Sequence, residues 1–396
     1  MKNLNTIYLD HQATTPLDSQ VFEAMRPYFG ESFGNPHSSD HAAGWRAAKA
    51  VEGAAEDVAA MIGADADEIV FTSGATEANN LALLGVARRA VGGARKRILM
   101  SSTEHKCVLE VGRVLDRQLG FTVTHLSVDS EGRLDLDMLR SELNEDVLLV
   151  SVMAANNEIG TLQDIAEIAR MVSQSGSLLH CDAAQAPCAM DMLRFADVVD
   201  LLSLSAHKMY GPMGVGALFA KRELQSRIEP LVYGGGQQNG LRSGTLPTAL
   251  CVGLGCAARL ASGDHAVGER EALAQRRDFL LERLRELPYP SWINGPKNPE
   301  HRHPGNINIG FRGIVAADLL GRIQPILAAS TGSACTSGIS EPSHVLRAIG
   351  LTDEEAAASI RLSVGRSSTE EELVKAVDII RAALEQVSSE RDSMFA

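Results

Sequence analysis

The sequence predicts an α/β fold: a mostly parallel sheet covered by helices on both faces, followed by a second, smaller α/β unit. Three observations carry that prediction. Short apolar runs alternate with helical stretches over residues 69–220, the rhythm of strand–helix–strand crossovers. The length, 396 residues, exceeds one ordinary domain. A Ser-Gly-Asp break at 262–264 divides an Ala/Gly/Leu-rich helical stretch from a charged, amphipathic one.

Taken in order, residues 7–9 read as a strand leading into an extended segment at 10–16. Residues 21–29 look helical, 33–38 form a Gly/Asn/Pro turn cluster, and 42–62 carry Ala, Glu and Lys at helical spacing. An apolar strand at 69–72 passes through Gly74 into a helix at 76–90. Strands at 97–100, 122–126, 148–153 and 178–181 follow, with a helix at 104–119. Two more apolar runs, 200–204 and 215–220, flank a Gly/Pro-rich turn. Residues 247–261 read as a buried helix in which Cys251 and Cys256 are small packing residues. Beyond the break come an amphipathic helix at 275–287, strands at 307–311 and 360–364, and a helix at 370–387. There is no internal repeat and no low-complexity segment.

Composition narrows the function. Residues are 45% hydrophobic, ample for a core. The formal net charge is -13 with no basic tract, which argues against direct nucleic-acid binding. No apolar run reaches the roughly 18 residues of a membrane span, and residues 1–12 contain no signal-peptide core. The six cysteines lack paired metal spacing, so neither a disulfide scaffold nor a metal centre is expected, and a cytoplasmic setting fits. His301-Arg302-His303 has no third ligand nearby and reads as a solvated loop.

Chemistry concentrates at strand ends, where ligands bind in such sheets. Ser205-Ala206-His207-Lys208 ends one apolar run before a sharp turn. A lysine held there loses solvation and part of its basicity, as a Schiff-base lysine requires. Asp182 closes another strand, where a carboxylate can pair with a protonated pyridine nitrogen. Thr72-Ser73-Gly74-Ala75-Thr76 leads a strand into a helix, whose free N–H groups suit a phosphate. Alone, Lys208 is an ordinary surface lysine and Asp182 or Thr76 an ordinary helix cap. In this order the three describe a site for pyridoxal 5'-phosphate (PLP).

With these motifs, and with Thr103-Glu104-His105, Asn156-Asn157-Glu158-Ile159-Gly160, Arg242-Ser243-Gly244-Thr245 and Gly332-Ser333-Ala334-Cys335-Thr336-Ser337, the chain resembles the cysteine desulfurases nearly end to end. These are the NifS/IscS-like members of the class V aminotransferase group, PLP enzymes of fold type I. The resemblance implies a large domain with a mostly parallel seven-stranded sheet at 15–262. It implies a small domain, made of 1–14 and 263–396, that carries the catalytic-cysteine loop. Lys208 would carry the cofactor, Asp182 would pair with the ring nitrogen, and Gln185 would bond the ring oxygen. His105 would stack on the ring and move protons. Ala75, Thr76, Ser205 and His207 would hold the phosphate, with Thr245 supplied by a partner subunit, which implies a homodimer. Asn157 would contact the ring or the substrate, and Asn35 and Arg361 would bind substrate.

Cys335 lies in a Gly/Ser/Thr-rich stretch, 331–341, where a cysteine is expected to be exposed and reactive. The length of that stretch resembles the group serving iron–sulfur scaffolds. The implied reaction turns L-cysteine into L-alanine and a Cys335 persulfide, for a sulfur-acceptor protein in iron–sulfur assembly, tRNA thiolation or DNA phosphorothioation. A selenocysteine lyase, another PLP aminotransferase-like enzyme, or a sulfur-delivery subunit of weak activity are the alternatives. The chain departs from the common pattern at Gln237-Gln238-Asn239, expected at the mouth of the site, at Met213, and at His11-Gln12.

Overall fold

The computed structural model describes residues 6–332 and 342–395, with side chains to residue 390. Its strands are β1 (Ile7–Tyr8), β2 (Ile69–Thr72), β3 (Arg97–Ser101), β4 (Thr122–Leu126), β5 (Val147–Ser151), β6 (Leu178–Asp182), β7 (Leu201–Ser205), β8 (Gly216–Ala220), β9 (Ser291–Ile293), β10 (Asn306–Phe311), β11 (Leu327–Ala328) and β12 (Ser359–Ser363). Seven of them form one sheet in the order β2-β8-β7-β6-β5-β3-β4. Only β8 runs against the others, pairing antiparallel with both β2 and β7. Strands β5 to β8 are buried along their whole length, which explains their unbroken apolar runs.

Helices close both faces of this sheet. Ala42–Ile62 and Thr248–Leu260 pack on one side, with Val58, Ile62, Leu254 and Ala257 among its buried residues. Ala75–Ala90 and Lys106–Leu119 cover the other, burying Leu81, Val86, Val111 and Leu115. A second core joins the long helices Gly263–Arg285 and Glu370–Phe395 to the antiparallel sheet β12-β10-β9. Ile7 and Leu9 enter that second core, and β1 pairs in parallel with β11. The helix Gly263–Arg285 begins at the Ser-Gly-Asp break itself, twelve residues before the amphipathic pattern becomes visible, because its first turns carry Gly263 and Gly268 and, before Leu273, a single large apolar residue, Val267.

Two expectations are corrected. The segment 301–303 is no solvated loop: Arg302 and His303 are buried. Arg302 donates to the carbonyls of Pro296, Ile159 and Asn294 and to Asn306 Oδ1, so its charge is spread over inward-turned acceptors rather than water. Gln238 does not stand at the mouth of the site. Its amide takes both backbone groups of Phe71, with Phe71 N–H to Oε1 at 2.6 Å and Nε2 to Phe71 O at 2.9 Å. It thereby closes the open edge of β2 as a further strand would.

Candidate active site

Because β2, β3, β5, β6 and β7 run the same way, their C-terminal residues gather at one edge. Thr72 turns through Ser73 and Gly74 into the helix Ala75–Ala90. Gly74 has φ 152°, and the helix has no side-chain cap, so its first N–H groups are available to an anion. Gly216 lets β8 start hard against this turn. A Cβ there would meet Leu204 O at 2.3 Å and Gly74 Cα at 2.7 Å.

A cavity of about 440 Å³ opens at this edge. Ala75, Thr76, His105, Asn157, Asp182, Gln185, Ser205, His207 and Lys208 all line it. Asp182 is buried at the end of β6, with Ala184 N–H on Oδ1 at 3.0 Å and Asn79 Nδ2 on Oδ2 at 2.7 Å. Those donors orient the carboxylate and leave it further lone pairs. Lys208 Nζ donates to the carbonyls of Gln12 at 2.6 Å and Ala13 at 2.8 Å. Burial, then the charge of Arg361, lowers its amine to about 8. His207 is lowered to about 4 by burial and by Lys208, so it is neutral at pH 7. Its Nδ1 lies 3.1 Å from Thr14 Oγ1. Gln185 Nε2 donates to the same Gln12 carbonyl at 2.8 Å.

A second cavity, about 280 Å³, shares His105, Asn157 and Lys208 with the first and adds Asp10, Ser330, Gly332, His344 and Arg361. β12 delivers Arg361 to it. The guanidinium donates to Asn157 O at 2.7 Å, Asp10 Oδ1 at 2.5 Å and Ser330 Oγ at 3.0 Å, while its buried Nε has no partner among the described residues. Lys208 thus stands where a cofactor-sized cavity meets one with a carboxylate-binding fork.

Two described residues named from the sequence are not in these cavities. Asn35 is exposed, its Oδ1 accepting from His37 N–H at 2.9 Å. Thr245 is exposed as well. Cys335 lies outside the described residues, between Gly332 and His344, both of which line the second cavity.

Several residues of the site were given no role from the sequence. Gln12 and Ala13 act through backbone carbonyls, which no side chain advertises. Asn79 is one helical turn beyond the phosphate motif, on the face toward Asp182. Glu104 is fully buried, with Ser151 Oγ 3.3 Å from Oε1. Burial, reinforced by Asp182, pushes its carboxyl up to about 8. Ser151 Oγ also lies 2.9 Å from His180 Nδ1, and His180 Nε2 lies 3.2 Å from Ser203 Oγ, so a polar line runs beneath the strand ends.

The residues fit PLP. A buried carboxylate suits a protonated ring nitrogen, an uncapped helix start flanked by Ser205 and His207 suits a phosphate, and a lysine of lowered basicity lies beside both. The described thiols are less reactive. Burial raises Cys107, Cys188 and Cys251 to about 12, Cys181 well above its usual value, and Cys256 above it as well. Among the described residues no cluster of His, Cys, Asp and Glu could hold a metal ion, and no helix is long and apolar enough to cross a membrane.

Comparison with known proteins agrees with this chemistry. The class-V aminotransferase pattern matches residues 7–376. The cysteine desulfurase IscS of Rickettsia felis is 45% identical over 385 residues, covering 96% of this chain and 92% of the relative. A probable mitochondrial cysteine desulfurase of Schizosaccharomyces pombe is 46% identical over 377 residues, 95% of this chain and 74% of the relative. Among solved structures, a NifS-like protein superposes with a TM-score of 0.88 at 34% identity, covering 96% of this chain and 99% of the other. SspA in complex with cysteine gives 0.79 at 35% identity, covering 91% and 99%.

Proposed function

The chain belongs to the class-V aminotransferase family and, within it, to the cysteine desulfurases, and from that premise we propose how its residues divide the work. It converts L-cysteine to L-alanine and leaves the sulfur as a persulfide on an enzyme cysteine. The observation that carries the assignment of roles is the place of Lys208, at the junction of a cavity suited to PLP and one holding Arg361.

Bound PLP, held by Lys208, Asp182, Gln185, Ala75, Thr76, Ser205 and His207, supplies an electron sink at the amino-acid α-carbon. Arg361 and Asn157 hold the substrate carboxylate. Lys208 Nζ, its basicity already lowered, takes the α-proton. Asp182, oriented by Asn79 and the Ala184 N–H, would accept from the protonated ring nitrogen. His105, whose basicity is lowered by burial, moves protons as a neutral imidazole. The Cys335 thiolate attacks the substrate sulfur: an S–S bond forms, the C–S bond breaks, and its electron pair stays with the three-carbon fragment. Protonation of that fragment gives alanine, so L-cysteine and the thiol become L-alanine and the persulfide with no outside oxidant. Both flanks of Cys335, Gly332 and His344, line the substrate cavity, which supports this assignment.

The finer setting is also proposed. Residues 15–262 form the large domain, and 1–14 with 263–396 the small one. Two chains associate, Thr245 of each completing the other's phosphate site and Asn35 reaching substrate. Thr245 and Asn35 are exposed and lie outside their own chain's cavities, which supports that arrangement. The chain acts in the cytoplasm and passes sulfur to an acceptor protein, such as an iron–sulfur scaffold. Incubation of PLP-loaded protein with L-cysteine and a reductant tests the reaction: alanine and sulfide should form in equal amounts. Pyruvate and ammonia in place of alanine would refute it. Sedimentation tests the association, and a monomer with full cofactor occupancy would refute that part.

A further inference from the structure

His105 and Asp182 are joined by a line of hydrogen bonds through Asn79 and Cys107. Asn79 Nδ2 lies 2.7 Å from Asp182 Oδ2 and 3.3 Å from Cys107 Sγ. Cys107 Sγ lies 3.0 Å from His105 Nδ1. His105 also caps the helix Lys106–Leu119, its Nδ1 lying 3.2 Å from the Cys107 backbone N–H.

The chemistry of the partners favours one direction for each bond in this line. A backbone N–H can only donate, so Nδ1 accepts from Cys107 N–H, and that bond favours the ring form with no proton on Nδ1. Asp182 as a carboxylate can only accept, so the Asn79 amide nitrogen faces it and offers its second hydrogen to the sulfur. The Thr76 hydroxyl also bonds this sulfur, and with both it and Asn79 donating, the thiol hydrogen points to Nδ1. Burial keeps Cys107 protonated, its thiol pushed up to about 12, so that hydrogen is present throughout the neutral range. The groups facing the His105 ring are Asp182 from β6, Lys208 after β7, His344 from the helix His344–Ala348, and Lys106 from its own helix. Burial, Lys208, His344 and Lys106 all lower the basicity of the ring, and Asp182 opposes them.

We propose that Cys107 is a positioning residue for His105: its thiol, oriented by Asn79, donates to Nδ1 and holds the ring in the tautomer with hydrogen on Nε2, toward the cavity. In that tautomer His105 offers a proton to the substrate before it can accept one. The inference rests on the reading of His105 as a proton-moving group.

The test is nuclear magnetic resonance of the holoenzyme with 15N-labelled histidine, His105 being assigned by its loss in His105→Gln. Wild type should show Nε2 protonated and Nδ1 bare. Cys107→Ala removes a donor that favours bare Nδ1, so its His105 should titrate at higher pH and populate the other tautomer. Cys107→Ser places a hydroxyl donor at the same position and should restore the wild-type pattern. Turnover should follow, kcat/KM falling roughly fivefold in the alanine variant, the worth of one net hydrogen bond, and recovering in the serine variant. A proton on Nδ1 in wild type, or identical His105 titrations in all three proteins, would overturn the assignment. The spectra report the ring's proton and not turnover, so they stand apart from the reading beneath them. That reading fails separately, if His105→Gln desulfurates cysteine at the normal rate.

Discussion

Lys208 Nζ donates to the backbone carbonyl of Gln12 at 2.6 Å, bridging residues 196 apart in sequence. The same carbonyl accepts from Gln185, and the Gln12 side chain is held by Asn306 Nδ2 at 2.6 Å. The amine is therefore aimed by a segment that precedes the large sheet and is anchored on β10 of the second one. Borohydride reduction of the PLP-loaded protein should fix cofactor mass on the peptide containing Lys208. Lys208→Ala should take up none and lose roughly 10²–10⁴-fold in turnover, the usual worth of a positioned base. A visible band indifferent to borohydride in wild type would contradict the lysine's role.

Arg361 meets substrate already paired with Asp10. Arg361→Ala should raise KM for cysteine on the order of a hundredfold, through loss of a charge-assisted bidentate contact. Arg361→Lys should rescue little of it, since an ammonium cannot bond Asn157 O, Asp10 and a carboxylate in one plane. An unchanged KM in the alanine variant would place the carboxylate elsewhere.

Glu104 makes cofactor-free stability depend on pH. Its folded value, about 8, lies above the ordinary 4.5, so between these the native state holds one more proton than the unfolded chain. This contribution is complete below about 4.5, declines as pH rises through the window, and is lost above about 8. Glu104→Gln keeps the shape without the charge. Urea unfolding should show the variant more stable than wild type at pH 9, by on the order of a few kcal/mol, with the gap closing toward pH 5. Parallel pH profiles would contradict the buried carboxyl.

Arg302 should matter to stability rather than to chemistry. Its five hydrogen bonds go to three carbonyls and one amide, and no carboxylate is among these partners. Arg302→Met should cost roughly 2–4 kcal/mol in denaturant unfolding, because buried carbonyls lose their donors. A loss below about 1 kcal/mol would mean that water replaces the guanidinium.

The large sheet and most of the site were legible because strand ends carry chemistry in contiguous motifs. Thr72 to Thr76, Asp182 to Gln185 and Ser205 to Lys208 each announce themselves locally, and the structure brings them to one cavity. What the sequence hid depends on long-range contact. Arg302 looks like any loop arginine until Ile159 and Asn294 turn their carbonyls toward it. Gln238 looks like a departure at the site until it is seen on the edge of β2. The reversed direction of β8 has no local mark, since an apolar run reads the same either way.

The central claim is that sulfur passes from L-cysteine to Cys335. The most direct measurement is mass spectrometry of the holoenzyme treated with L-cysteine and then alkylated, peptide by peptide. The account predicts one added sulfur on the peptide containing Cys335, and in Cys335→Ala an undisturbed cofactor spectrum with almost no alanine formed. Added sulfur on Cys107, Cys181 or Cys188 instead, or normal alanine production by Cys335→Ala, would contradict it.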